Sequence, residues 1–315
     1  MSDLPVSSNQ RAVQLVALDV LRRHPGERLP TSLQYQELLG VGSGTVQKAL
    51  RLLEGTGAAE FRSHGHQGTF AVRRHFGQLW AIAELGVIRG AMPLPDSREG
   101  AGLATGLREQ ADLLRMPLQL RFMHGSTHRL RAILEDRVDF AILSAGAALS
   151  ARTAFAEERW VEEDLGPHSY YSEGSLILII RPGLGRSARK SIRTVGVDHD
   201  SHDHTQLTSA EFPGANGYRY QEVAYPDLLA AVAERRVDAA VWHRTTIPVP
   251  LGLLGVAWRH LERPAAVACS ETLSPAVMLA PRRRPEIQVL LQQFDGDRIR
   301  ATQQRVVTGE VPPVF

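Results

Sequence analysis

Residues 29–72 read LPTSLQYQELLGVGSGTVQKALRLLEGTGAAEFRSHGHQGTFAV. Thr31 or Ser32 can cap a helix running through Leu39, and Gly40-Val41-Gly42 supplies a turn in which glycine permits positive φ. Ser43 can cap the next helix, where Val46, Ala49, Leu50, Leu52 and Leu53 recur at helical spacing and face inward. Thr45, Gln47, Lys48 and Arg51 are left off the core face. Gly55 and Gly57 end that helix, and residues 59–61 and 69–72 pair across the polar tip 63–68. Upstream, Ala12, Leu15, Val16, Leu18 and Leu21 give a first helix over about 10–23, stopped by Pro25-Gly26. A helix with one polar face beside a polar-tipped hairpin suits duplex DNA. The residues placed to meet it are Thr31, Ser43, Thr45, Gln47, Lys48 and Arg51, with Arg62, His64 and His66 on the hairpin.

The hairpin has the character of a wing, and the module resembles the winged helix of GntR-type bacterial transcription regulators. Their third helix carries a pattern like S-R-x-T-V-R-x-A-L-x-x-L. Thr45, Val46, Ala49, Leu50 and Leu53 keep it, whereas the two arginines of the pattern fall on Ser43 and Gln47. Arginine forks onto guanine and glutamine suits adenine, so the resemblance implies a double-stranded DNA operator unlike the usual family one. The alternative is a winged helix used for protein contact or as a dimer prop.

Composition bounds the rest. At 315 residues, 43% hydrophobic and 22% charged, the chain has room for two or three domains of a soluble protein. The opening MSDLPVSSNQRAVQLVALDV has no unbroken apolar core, because Asp19 interrupts it, and no run approaches the ~20 apolar residues of a membrane span. The single cysteine, Cys269, cannot form an internal disulfide and reads as a small packed residue. A cytoplasmic location with no membrane partner follows as the expectation. Residues 1–80 carry nine basic and six acidic side chains, a mild excess that suits a module meeting phosphates.

A second pattern governs the remainder. LRAILEDRVDFAILS, 130–144, aligns without gaps at an offset of 99 with LAAVAERRVDAAVWH, 229–243. Each reads as an amphipathic helix, a tight turn at Arg-Val-Asp and a buried strand, so the repeat implies two similar α/β lobes. In the first lobe, strands are expected at 86–93, 118–123 and 140–144, with helices at 101–111 and 127–135. In the second, strands fall at 194–198, 218–223 and 239–242, with helices from about His204 and over 226–234. SLILIIR, 175–181, is an apolar strand between them, 277–279 returns to the first lobe, and 286–294 is a closing helix. Alternating strands and helices predict parallel sheets with ligands at the carboxyl ends of the strands.

This plan resembles type II periplasmic-binding-protein domains. Four further blocks stand out: Ala91-Met92-Pro93-Leu94-Pro95, Gly102-Leu103-Ala104-Thr105-Gly106-Leu107, Leu165-Gly166-Pro167-His168 and the ending QQRVVTGE, 303–310. Through them the chain as a whole resembles the YhfZ family of GntR-like regulators. The resemblance implies an α+β multidomain protein. A winged helix-turn-helix occupies 1–74, a connecting segment 75–86, and a two-lobe α/β periplasmic-binding-protein-like domain 87–315. Lobe 1 covers about 87–170 and 270–315, and lobe 2 about 175–265.

Strand ends then nominate a ligand cleft: Met92, Pro93 and Ser97; Gly125, Ser126 and Thr127; Ser144; His168, Ser169 and Tyr170; Ser201 and Asp203; and Trp242 with His243. Ser126 and Ser201 each precede a helix, where free amides favour an anion such as a carboxylate or phosphate, although both also read as plain N-caps. Residues 198–204, DHDSHDH, carry metal-ligand side chains, but no standard zinc spacing and no nearby cysteine. A solvated, capping loop explains them, and no metal or cofactor is expected. No nucleophile elbow, Walker loop or His-Glu-x-x-His helix is present, which argues against an enzyme. The expectation is a homodimeric ligand sensor that regulates transcription through a small-molecule effector. A solute-binding protein or a small-molecule enzyme on the same two-lobe fold is the alternative.

Overall fold

The computed structural model describes residues 7–24, 26–155, 160–184, 188–246 and 250–315. Its elements, in chain order, begin with α1 (Ser8–Arg22), α2 (Ser32–Leu39), α3 (Ser43–Gly55), β1 (Ala59–Ser63), β2 (Thr69–Arg74) and α4 (Phe76–Ile82). There follow β3 (Ile88–Met92), α5 (Arg98–Leu113), β4 (Leu118–Phe122), α6 (Ser126–Leu134), β5 (Phe140–Ser144), α7 (Ala145–Ala154), β6 (Trp160–Asp164) and β7 (Leu176–Ile180). The chain continues through β8 (Thr194–Val197), α8 (His202–Glu211), β9 (Arg219–Glu222), α9 (Leu228–Ala233), β10 (Ala239–His243) and β11 (Ala257–His260). It ends with α10 (Pro264–Leu273), β12 (Ala276–Pro281), α11 (Pro285–Leu291) and α12 (Gly296–Thr308).

The first of two compact units comprises Met1–Ile88, Gln110–Gln119 and Arg283–Phe294. Val16, Val20, Tyr35, Val46, Ala49, Leu53, Leu79 and Trp80 bury its core. Asp19, which broke the apolar run of α1 in the sequence, accepts hydrogen bonds from Tyr35 Oη (2.6 Å) and from Arg23 Nε and Nη2 (2.8 Å each). A carboxylate satisfied by charged and phenolic donors can sit at a helix junction at little net cost. Thr31 caps α2 in a full capping box with Gln34, and Gly40 closes that helix in the left-handed region at φ 65°. Two expectations for α3 need correction. Its N-cap is Gly42, without a side-chain bond, so Ser43 is the first helical residue and not the cap. Leu52 is 45% exposed, because the inward arc of this helix is filled by Val46, Ala49 and Leu53 alone. The wing is β1 paired antiparallel with β2.

The second unit comprises Arg89–Glu109, Leu120–Arg282 and Asp295–Phe315. Among the described residues, β3 to β12 form two five-stranded sheets, ordered β4-β3-β5-β12-β6 and β11-β7-β10-β8-β9. The sheets are mixed, not parallel as expected. β3 runs parallel to β5, and β8 to both β9 and β10, but β12 is antiparallel to β5 and β6, and β7 to β10 and β11. The reversed strands are those that carry the chain from one lobe to the other and back. They enter each sheet without the helical crossover that enforces parallel direction. α7, β6, β11, α10 and α12 were not anticipated. α12 follows the helix expected to close the chain and buries Ile299, Thr302, Gln303 and Val306.

The duplicated segment folds as a true structural repeat. Asp136 (φ 54°) and Arg235 (φ 63°) occupy the same left-handed position after α6 and α9. Arg137 N–H donates to Ala132 O at 2.9 Å, and Arg236 N–H to Ala231 O at 2.8 Å. Asp139 accepts the N–H of Arg89 at 2.7 Å, whereas Asp238 accepts those of Arg193 (2.8 Å) and Thr194 (2.9 Å). The repeat therefore keeps an aspartate because its carboxylate ties the start of one strand to the neighbouring one. The glycines of the block 102–107 have a separate cause. A Cβ on Gly102 would lie 2.9 Å from Gln303 O, and one on Gly106 2.8 Å from Ile299 O, so α5 can approach α12 only without side chains there.

Candidate ligand cleft and nucleic-acid interface

In the first unit, Ser43, Gln47, Lys48 and Arg51 are exposed along α3, and Thr45 is half-buried. Gln47 Nε2 donates to Ser32 Oγ at 2.8 Å, which fixes that side chain beside the start of α2. Thr31 is exposed, but its hydroxyl is used in the cap of α2. On the wing, Arg62 lies 3.9 Å from Glu60, His64 meets Phe70 edge-on at 5.5 Å, and His66 is exposed in a short 3₁₀ turn. Of these nine residues, Thr31 and Gln47 are partly committed to hydrogen bonds within the module.

In the second unit a cleft of about 680 Å³, counting its open mouth, lies at the strand ends. Of the expected residues, Pro93, Ser97, Gly125, Ser126, Ser169, Tyr170, Ser201 and His243 line it. Met92 is fully buried behind the wall, and Thr127 is exposed outside it. Trp242 is also buried and stacks on Tyr225 at 4.7 Å. His168 is held at φ 58° and lies 3.9 Å from Glu271. The wall also contains Asp96, His124, Arg129, Tyr171 and Tyr225, none of which strand-end reasoning nominated. One sequence signal could have found Arg129: it shares the inward stripe of α6 with Ser126, Ala132 and Ile133. A charged residue on an apolar stripe is the informative exception.

Arg129 is 3% exposed. Its Nε donates to Ile142 O (3.0 Å), Nη1 to Met123 O (2.9 Å) and Nη2 to Tyr170 Oη (2.9 Å). All three acceptors are neutral, and no ion pair of this guanidinium occurs among the described residues. Burial pushes the Tyr170 hydroxyl up to about 12, so it is a phenol with a proton to offer.

Among the bonds that clasp the two lobes together are three beside it. His124 Nε2 meets Asp198 Oδ2 at 2.6 Å, Ser126 Oγ accepts the N–H of His202 at 3.1 Å, and Ser144 Oγ donates to Asp203 Oδ1 at 2.6 Å. The bond to Asp198 raises the His124 imidazole above its ordinary range, although burial opposes it. Burial acts to raise the Asp198 carboxyl, but the bonds from His124 and from Tyr225 N–H outweigh it and hold the group low. Asp203 is raised by burial, with Ser144 and Tyr171 opposing. His204 is held down to about 4 by burial, and its Nδ1 accepts the N–H of Asp198 at 2.9 Å. The expectation of a solvated loop at 198–204 is therefore corrected: Asp198, Asp203 and His204 are each 3% exposed and serve as internal struts. Ser201 caps α8 through His204 N–H (3.3 Å), and Gly125 stands as the N-cap of α6.

Gly125 sits at φ 73°, and a Cβ there would lie 2.7 Å from Asp200 O across the clasp. Gly125→Ala is expected to destabilise the second unit by about 1–3 kcal/mol, from backbone strain and overpacking together. Urea unfolding checks this, and a loss below about 0.5 kcal/mol would show that the clasp gives way without cost.

Known protein families match the chain in two consecutive parts. A helix-turn-helix domain profile matches residues 24–71, and the profile of the YhfZ C-terminal domain matches residues 76–315. The uncharacterized protein YhfZ of Escherichia coli K12 is 30% identical over 291 residues, 92% of each chain. The crystal structure of YhfZ from Shigella flexneri is similar at 28% identity and a TM-score of 0.57, covering 76% of this chain and 98% of that one. The Escherichia coli periplasmic aliphatic sulphonate binding protein shares the fold at 14% identity and a TM-score of 0.50, covering 71% of this chain and 75% of its own. An N-terminal helix-turn-helix domain followed by a mixed α/β domain with the periplasmic-binding-protein fold is thus established, and the chain belongs to the YhfZ family.

Proposed function

We propose that this chain is a transcription regulator whose winged module binds a duplex operator, and whose affinity for it changes when a small anion occupies the cleft. What supports this most directly is Arg129: a buried guanidinium that lines a cleft and hydrogen-bonds only neutral acceptors leaves a direct ion pair to be made by an anion. Hydrogen-bonded pairs, His124–Asp198, Ser126–His202 and Ser144–Asp203 among them, join the lobes around it, so a ligand that binds the closed form better shifts that population. The same proposal includes a homodimer on a two-fold operator, a cytoplasmic location and binding without turnover. Among the described residues no helix is long and apolar enough to cross a membrane.

Gel shifts on an operator selected from random duplexes test this. Lys48→Ala and Arg51→Ala should each weaken binding on all sequences and lower the salt slope by about one. Gln47→Ala should relax preference at one base pair, at a cost of about 1–3 kcal/mol. Unchanged binding by all three variants would remove α3 as the reading helix.

A further inference from the structure

Resting on the reading just given, we infer that the effector is a small carboxylate that also carries a hydrogen-bond donor, a hydroxyl or an ammonium, away from the carboxylate. The anionic pole follows from counting donors. A guanidinium has five N–H groups, and Arg129 uses three of them, on Ile142 O, Met123 O and Tyr170 Oη. Two remain. Tyr170 accepts from Arg129, so its own O–H is the third uncommitted donor beside them among the described residues. Three donors suit the two oxygens of a carboxylate. Asp96 and Asp203 share the field of Arg129, so a monoanion is favoured there over a dianionic phosphate.

The donor requirement comes from His243, which lines the same cleft and is 3% exposed. Thr245 Oγ1 donates to Glu99 Oε2, so towards His243 Nδ1, 3.0 Å away, it can only accept. Nδ1 therefore carries the proton and Nε2 is a bare acceptor. Nε2 has no hydrogen-bond partner among the described residues, and what it faces at 3.8 Å is another acceptor, Glu99 Oε2. Burial lowers the His243 imidazole from its ordinary range, with Glu99 opposing. A buried acceptor without a donor is costly, and a ligand donor removes that cost. Asp96, exposed on the cleft wall, offers a second acceptor. The two poles are joined by an aromatic wall. Tyr170 and Tyr171 have ring centroids 4.8 Å apart, and Tyr171 and His243 5.7 Å, which suits a ligand of a few carbons.

The test is calorimetry and thermal shift on the full chain with three- and four-carbon acids. The panel comprises propanoate and butanoate, their hydroxy and amino derivatives, and the matching phosphate monoesters. A hydroxy or amino acid is expected to bind roughly tenfold tighter than its unsubstituted partner, the value of one buried hydrogen bond. His243→Phe should erase that preference. Tyr170→Phe, which keeps the ring, should weaken all the carboxylates alike. Which derivative leads identifies the donor as hydroxyl or ammonium. Carboxylates that bind without preference, or a preference that survives in His243→Phe, would overturn this inference and leave the anion reading standing. Tighter binding of the phosphate monoesters would do the same. If no acid or ester stabilises the chain, both fall.

Discussion

Asp198→Ala is expected to lower the thermal midpoint of the second unit by roughly 10 °C, from a loss of about 3–5 kcal/mol. This carboxylate is buried and accepts from His124 Nε2 (2.6 Å), Tyr225 N–H (2.8 Å) and Asp200 N–H (2.9 Å). Truncation strands two backbone donors and an imidazole together, which is far costlier than losing one exposed pair. The pair has a pH signature. The raised pKa of His124 means that its contribution is complete below the ordinary imidazole value of about 6.5 and is lost as pH rises through the raised value. Asp198, held low, contributes fully above about 3.9 and loses this only as pH falls through its depressed value. The advantage of the wild type over His124→Gln should therefore be greatest between about pH 4 and 6.5 and shrink above it. Arg129, Asp200, Asp96 and His204 also face this imidazole, and they are common to both proteins, so the difference isolates the pair. Melting curves at pH 5.5 and 8.5 check it. An equal difference at both would mean that the imidazole packs there without charge.

The winged module was legible because most of its signals have a local cause, although the start of α3 does not. Thr31 makes a capping box, Gly40 turns left-handed, and Val46, Ala49 and Leu53 repeat at helical spacing. The lobes were legible through the repeat, whose Asp139 and Asp238 do the same backbone work 99 residues apart. Strand direction was not. β7 and β12 are continuous apolar runs, and nothing local to such a strand says which way it enters a sheet. α7 and α10 were passed over for a similar reason: both are rich in alanine and small residues, so their apolar stripes barely contrast with their outer faces.

For the cleft, strand ends nominated residues on both lobes, and eight of the fourteen line one wall. Those it missed are held by helices or brought together from distant segments. Tyr171 meets Asp203 at 3.0 Å across 32 residues of chain, and its own sequence neighbourhood does not show it. The acidic and histidine-rich segment looked exposed by composition, yet Asp198, Asp203 and His204 within it are buried, the first carboxylate met by His124 and the second by Ser144 and Tyr171. Composition reports what a side chain prefers when alone. Burial here is decided by partners that arrive from elsewhere.

The repeat makes a paired forecast. Asp139→Ala and Asp238→Ala should each cost about 3 kcal/mol in urea unfolding, despite lying in different sheets. Asp238 is satisfied by Arg181 Nε (2.6 Å), by the N–H groups of Arg193 and Thr194, and by Thr194 Oγ1 (3.1 Å). Asp139 meets Arg89 through its N–H, Nε and Nη2. Since the backbone donors cannot move, they are stranded by truncation, whereas the arginines can turn to solvent. Arg89→Ala and Arg181→Ala should therefore cost only about 1 kcal/mol each. Asparagine at either position keeps an acceptor oxygen and should fall between. Burial acts to raise the Asp238 carboxyl, but the bonds from Thr194 and Arg193 outweigh it, so its share is complete above about pH 3.9 and is lost only on further acidification. The double alanine variant should lose the sum of the two within about 0.5 kcal/mol, because the aspartates serve different sheets. If the arginine variants cost as much as the aspartate variants, the salt bridge and not the strand tie is what the duplication preserved.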